Sequence, residues 1–385
     1  MSHISEDLIK ITEYKVLGKL PDPFLRADGT RASTPEELEE HKAELYKNAV
    51  ELQYGTIPPK PEVLRVEHLY KGKATDQYKI ICGTKEKQIS FVLRIYFPKN
   101  TENPPVVVDG DMCFGYYENA EYINTMTENG IAFASFNRVE LAHDLKGEGR
   151  RQGALYEVYP EYTFGALGAW AWGFMRVVDA LEMIGGFNMD CVAFTGHSRG
   201  GKTAMLAGVL DKRAAIVAPN ETNAGSCSCY RIHMKAITEN GDEKRSETLK
   251  DLWHNFGYWL GEGMEAYTEC EEELPFDCHF LKALVAPRTL FIAEAASDIW
   301  TNPVGSWMTT QAVGEVYKLY GKPENLLWYY RKGFHFHAVE DIEMLVNVIK
   351  NKLCGEPLND KYFKTPFPTR ELIYDWRCPE SEVTK

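Results

Sequence analysis

The sequence has little that would take it to a nucleic acid or into a membrane. Its 385 residues carry 43 basic against 56 acidic side chains, a formal charge of −13. No block of lysines and arginines supplies the footprint that a phosphate backbone requires. Long apolar runs are missing too. Pro105-Val106-Val107-Val108 and Leu290-Phe291-Ile292-Ala293 are strand-sized, far below the roughly 20 residues of a membrane helix. The opening residues, Met1-Ser2-His3-Ile4-Ser5-Glu6-Asp7, lack the positive end, apolar stretch and small-residue cleavage site of a secretory leader. A cytoplasmic protein is therefore expected, unless a leader has been removed. The nine cysteines are an odd number without framework spacing, a pattern of reduced, buried thiols. The close pair Cys227-Ser228-Cys229 is too tight for a zinc knuckle and has no second pair to complete one. It is read as packing, and no metal site is expected.

What is present is a globular composition: 44% hydrophobic, 26% charged and 12% aromatic, enough to bury a sizeable core. Leu20-Pro21-Asp22-Pro23-Phe24 is irregular, because two prolines fix φ and remove donors. Thr34-Pro35-Glu36-Glu37 then starts a helix, with Thr34 as N-cap, Pro35 in the first turn and Glu37 completing a capping box. That helix is expected to run to about Leu52 and to stop at Tyr54-Gly55-Thr56-Ile57-Pro58-Pro59. From Val63 to Pro98 the alternation, clearest over Ile89 to Phe97, predicts antiparallel strands.

Strands and helices alternate from there. Strands are expected at Val106–Val108, Ile131–Phe136, Cys191–Thr195, Ala214–Ala218, Thr289–Ala293 and Leu326–Tyr330. Helices are expected at Ala120–Glu128, Gly165–Ile184, Ser198–Leu210, Val313–Tyr320 and Asp341–Lys350. Repeated units of this kind predict a mostly parallel central sheet with helices on both faces. No repeat, low-complexity tract or linker divides the chain. Residues 1–385 are read as one domain, with 1–60 an N-terminal arm and helix. The acidic, aromatic stretch 231–275 is read as an insertion over the sheet's carboxyl edge, where such folds place ligands.

The sharpest motif is Gly196-His197-Ser198-Arg199-Gly200-Gly201-Lys202. A G-x-S-x-G between a strand and a helix marks the nucleophile elbow of the α/β-hydrolase fold, whose sharp turn exposes the serine hydroxyl. The amide of Arg199, at the helix N-terminus, then faces the oxyanion formed on attack. In this fold class the acid and then the histidine follow the serine along the chain. Only His335 and His337 lie beyond the last core strand, and either can serve as the base. Two acids compete for the third place, Glu221 after one strand and Asp298 after the next. Spacing leaves both pairs open.

These motifs resemble carbohydrate esterase family 15, the glucuronoyl methylesterases. The resemblance is carried by Leu20-Pro21-Asp22-Pro23-Phe24 with Asp28-Gly29-Thr30, by Tyr54-Gly55 and Pro58-Pro59-Lys60-Pro61, and by Trp170-Ala171-Trp172-Gly173 with Arg176 and Asp179-Ala180-Leu181. The elbow itself, Leu274-Pro275-Phe276-Asp277 and Ala286-Pro287-Arg288 extend it. It implies an α/β hydrolase of the bacterial type with Ser198 as nucleophile, His335 as base and Arg199 in the oxyanion hole. It matches Glu221, 23 positions past the serine, to the family's acid, and Asp298 to an alternative acid of bacterial members. It further implies that Lys202 reaches a hydroxyl of a uronate and that Trp300 contacts the sugar.

Where fungal members join two cysteines across the site, His197 and Phe336 stand here, so that disulfide is not expected. The glutamine and glutamate that grip the uronate have no assigned counterpart, with Leu249 and Lys250 near one expected position. The expected function is a serine carboxylester hydrolase acting on a carbohydrate ester, without metal or organic cofactor. An acetyl-xylan esterase is the alternative. A silent carbohydrate-binding relative, stacking sugars on Trp253, Trp259 and Trp300, is the reading from another class.

Overall fold

A computed structural model describes residues 9–114, 120–362, 364, 367 and 370–379; the opening residues read for a leader lie outside them. The N-terminal arm, for which no strand is singled out in the sequence, contains β1 (Lys10–Val16). α1 (Pro35–Tyr46) begins as predicted, with the Thr34 hydroxyl accepting from the Glu37 amide at 3.2 Å. The Glu37 carboxylate accepts from the Ser33 amide at 2.7 Å, so the expected box closes one residue earlier. The helical path continues through a wider turn, Lys47–Glu51, and ends at Tyr54 before Gly55, whose φ is 80°.

β2 (Val63–Lys71), β3 (Thr75–Gly83) and β4 (Gln88–Tyr96) form the antiparallel run, and the alternate burial of β3 and β4 follows the period of two. Then come β5 (Val106–Asp109), α2 (Ala120–Glu128), β6 (Ala132–Phe136), α3 (Ala166–Ile184), β7 (Val192–His197), α4 (Arg199–Leu210) and β8 (Ala214–Asn220). β9 (Ile232–Ile237), β10 (Glu243–Arg245) and α5 (Leu249–Phe256) occupy the stretch read as an insertion. α6 (Cys278–Val285), β11 (Thr289–Ala295), α7 (Pro303–Leu319), β12 (Leu326–Arg331) and α8 (Val339–Cys354) follow.

The main sheet has nine strands in the order β12-β11-β8-β7-β5-β6-β4-β3-β2. Strands β5 to β8, β11 and β12 are parallel, and β4 joins β6 antiparallel. Successive residues of a parallel strand face opposite layers. Accordingly, Val106 and Val108 pack with α3, α4, α6 and α7, while Val107 packs with Tyr122 and Met126 of α2 and Ile342 and Leu345 of α8. This is the expected α/β-hydrolase architecture. β1 pairs with β9, which also pairs with β10, in a separate three-stranded sheet.

α7 starts ten residues before its predicted position. Gly305, Ser306, Thr309 and Thr310 are weak helix formers, but Asn302 caps the helix at 3.0 Å to the Gly305 amide. The buried Lys282 ammonium donates to the Ser306 carbonyl and the Thr309 and Thr310 hydroxyls at 2.8–3.1 Å. All nine cysteines are unpaired. No helix among the described residues is long and apolar enough to cross a membrane.

Candidate active site

Register decides which loops meet. His197 at the end of β7 pairs with Asn220 of β8, Asn220 with Ala293 of β11, and Ala295 with Arg331 of β12. The carboxyl ends of four neighbouring strands are therefore level, and Ser198, Glu221, Asp298 and His335 all lie just beyond them. Ser198 turns the chain into α4 with φ 56° and ψ −119°. A non-glycine residue with positive φ stores about 1–3 kcal/mol of strain, a cost usually met at functional sites. A side chain at Gly196 would lie 2.6 Å from the carbonyl of Gly200, which is why only glycine fits the near side of the turn.

Nδ1 of His335 donates to Oδ2 of Asp298 at 2.6 Å and lies 3.4 Å from Oε2 of Glu221. Glu221, also at positive φ (46°), is otherwise engaged. One carboxylate oxygen pairs with Arg331 and the other accepts from the Phe336 amide at 3.0 Å. Arg331 reaches Asp341 as well, at 3.0 Å. Burial pushes the Glu221 carboxyl well above the usual range, with the Asp298 charge adding to it and His335 and Arg331 opposing. Burial works against a charged His335, but its hydrogen bonds and charges from Asp298 and Glu221 outweigh that and raise its pKa. His337 lies elsewhere: it is buried edge-on to Tyr122, 5.3 Å between ring centroids, and burial lowers it to about 3, with Arg331 adding. Thus the two histidines left open by the sequence differ sharply in surroundings.

The Arg199 guanidinium pairs with Asp144 at 3.0 Å and lies over the rings of Trp259 (4.8 Å), Phe256 (5.2 Å) and Phe114 (5.7 Å). Asp144 also accepts from the Tyr258 hydroxyl at 2.9 Å and the Trp259 indole at 3.0 Å, and stands 3.6 Å from Arg138. Arg138 is fully buried and pairs with Asp111, whose carboxylate accepts from the His197 amide at 3.1 Å. A chain of alternating charges thus runs beneath the elbow to the guanidinium.

Lys202 is buried, its ammonium donating to the Ala224 carbonyl and lying 4.0 Å from Glu247. Burial lowers Lys202 to about 8 against the pull of Glu247, and raises Glu247 to about 7 against the pull of Lys202. The Trp300 carbonyl accepts from the Glu247 amide at 3.0 Å. Glu247 is the residue sequence reading missed. Leu249 and Lys250 were the neighbours considered, but Leu249 is buried and Lys250 pairs outward with Glu269 at 2.6 Å. The available signal was the capping box of Thr248 and Asp251, which fixes where α5 begins and turns the preceding acid inward.

Of the three tryptophans considered as sugar platforms, Trp259 is buried against Phe256 at 4.1 Å, and Trp253 carries the Arg150 guanidinium on its ring at 5.1 Å. Trp300 is 37% exposed. Among the described residues, His197, Glu221 and His335 bring potential metal-ligand atoms within 4.8 Å of one another. The Arg331 cation already on Glu221 opposes a metal ion there.

A sequence model of the family described as glucuronyl esterase, fungi, matches residues 80–321. The 4-O-methyl-glucuronoyl methylesterase of Hypocrea jecorina is 29% identical over 371 residues, covering 94% of this chain and 76% of the relative. That of Neurospora crassa is 31% identical over 326 residues, covering 84% and 78%. Among solved structures, a carbohydrate esterase family 15 glucuronoyl esterase from Caldicellulosiruptor kristjansonii superposes with a TM-score of 0.83 at 27% identity, covering 94% of this chain and 98% of that one. The glucuronoyl esterase catalytic domain of Hypocrea jecorina gives 0.76 at 26%, covering 95% and 98%. Likeness of sequence and of fold runs through nearly the whole chain, elbow included, and on that ground the chain belongs to carbohydrate esterase family 15, the glucuronoyl esterases, as a carboxylic ester hydrolase on the α/β-hydrolase fold.

Proposed function

We propose that this chain, acting as a single domain, hydrolyses the carboxylic ester of a 4-O-methyl-glucuronate, with Ser198 as nucleophile and His335 as base. The observation that carries the reading is the 2.6 Å hydrogen bond from His335 to Asp298, on a loop level with the strained Ser198 turn. It leaves the far nitrogen of His335 to take the serine proton. As Ser198 Oγ bonds to the ester carbon, negative charge moves to the carbonyl oxygen, where the Arg199 amide and guanidinium stabilise it. His335 returns the proton to the departing alkoxide, the alcohol leaves, and water attacks the acyl-enzyme by the same route in reverse. Lys202, Glu247 and Trp300 form the polar wall proposed to bind the sugar. The relatives named 4-O-methyl-glucuronoyl methylesterase support uronate as the acyl group. The nine unpaired cysteines support a reducing, cytoplasmic setting.

Benzyl glucuronate and an acetylated xylo-oligosaccharide, assayed side by side, test the substrate. Turnover of the first and not the second is expected; the reverse would replace this reading with the acetyl esterase.

Asp298 is the acid that orients His335 in this reading, and Glu221 braces the loop through Arg331. Asp298→Asn is expected to lower kcat by roughly 10²–10⁴-fold, as an asparagine favours the wrong tautomer. It should also move the acid limb of kcat/KM to lower pH. His335 works unprotonated, its pKa is raised by carboxylates, and removing one lets it lose its proton sooner. Glu221→Gln should instead act mainly on stability, by about 1.5–3 kcal/mol, because Arg331 loses one charge-assisted hydrogen bond and keeps Asp341. Thermal melts beside pH–rate profiles separate the two, and a greater kcat loss in Glu221→Gln would reverse the assignment.

A further inference from the structure

We propose that His197 is a positioning residue for His335, presenting a neutral imidazole face that sets the plane of the base; this rests on His335 being the base. The elbow motif leaves position 197 open, since only the residues around it are prescribed. Here it carries a buried ring 4.4 Å from the His335 ring, centroid to centroid, tilted by 43°. His337 also lies beside it, at 5.7 Å and 19°, and His337 in turn meets the edge of Tyr122. His197 therefore links the buried His337 to the exposed base in a cluster of three imidazoles.

His197 is held through both its backbone and its ring. Its own amide donates to Asp111 at 3.1 Å, and its Nδ1 lies 2.6 Å from the amide oxygen of Asn220, its register partner on β8. An amide oxygen only accepts, so Nδ1 carries the proton. Burial, with the charges of His335 and His337 adding to it, holds His197 well below the ordinary histidine value, and the ring stays neutral when His335 becomes an imidazolium.

His335 needs such a support. It sits on a loop whose residues 332, 334, 335 and 336 are exposed, and its side chain is 42% accessible. The hydrogen bond to Asp298 fixes one ring atom; rotation about that bond would swing the opposite nitrogen away from Ser198. A ring packed against its face removes this freedom. A neutral π face also tolerates, and attracts, the cation formed during proton transfer. The other titratable groups around the base are Asp298 and Glu221 at its Nδ1 edge, Arg331 and Asp341 behind Glu221, and Glu294 on β11.

The test uses the full chain with a benzyl glucuronate assay. His197→Ala is expected to lower kcat by roughly 10–100-fold, the scale of an ångström-sized misplacement, with KM changed by no more than about two-fold. Its acid limb should move to lower pH, because a loosened ring keeps a weaker bond to Asp298. His197→Phe restores a neutral ring and should recover most of the lost kcat; it also decides the matter if the alanine variant does not fold. Wild-type kcat and pH limb in His197→Ala overturn the proposal, as does a folded His197→Phe as impaired as the alanine. His335→Ala, run alongside, separates this failure from that of the base assignment: turnover surviving there rejects His335 itself.

Discussion

Ser198→Ala and His335→Ala should each lower kcat for ester hydrolysis by on the order of 10⁵–10⁶-fold, and the double variant should be little worse than either alone. Nucleophile and base act as a unit: without the imidazole the hydroxyl keeps its proton, and without the hydroxyl the imidazole has nothing to activate. The fold should survive both changes. Ser198 lies at φ 56°, and alanine bears the same backbone strain there as serine, so the melting temperature is expected to stay close to wild type. Covalent labelling by a fluorophosphonate gives the independent readout: it should modify the wild type at Ser198 and leave the alanine variant untouched. Labelled wild type with full turnover in Ser198→Ala would reject the mechanism. Absence of labelling in wild type would restore the silent, sugar-binding reading.

The second large effect concerns the guanidinium. If Arg199 serves the oxyanion as proposed, Arg199→Leu should cost roughly 10²–10³-fold in kcat, the usual loss for one such donor, with KM nearly unchanged because that charge exists only in the transition state. Arg199→Lys should fall between. An ammonium keeps the positive charge but gives up the planar fork that meets Asp144 while lying over Trp259, and at stacked sites the two cations are not interchangeable.

Asp144→Asn extends the argument one step back. The carboxylate holds Arg199 and faces the fully buried Arg138. Its loss should reduce kcat through the displaced guanidinium, with only a modest loss of stability, because the buried Arg138 keeps its pairing with Asp111. Steady-state kinetics with thermal melts checks both. Arg199→Leu with wild-type kcat would remove the guanidinium from the oxyanion hole and leave the backbone amide as the donor.

Much of this site is written in local chemistry. Gly196-His197-Ser198-Arg199-Gly200 sets its own turn, because the glycines admit a backbone approach that a side chain would block and the strand before it is buried throughout. Periodicity of two located β3 and β4, and apolar runs located β5, β7, β8, β11 and β12, since both signals arise within a handful of consecutive residues. The start of α7 was hidden because Ser306, Thr309 and Thr310 serve Lys282, a residue of another helix. β1 was hidden for a like reason: its partner Ile232–Ile237 is more than 200 residues away, and an edge strand in a small sheet carries little pattern of its own.

The division falls between residues whose role depends on neighbours in the chain and those whose role depends on neighbours in space. Residue order alone determined the fold class, the strand-to-helix turn at Ser198 and the short set of candidate acids and histidines, because each rests on a motif of a few residues or on a strand end. Tertiary structure decided which histidine meets a carboxylate, which acid faces it, and that Glu247 joins Lys202 and Trp300. Those choices turn on register between parallel strands and on a few ångströms of loop path. Such separations are set by the packing of the whole sheet, and no stretch of sequence holds them.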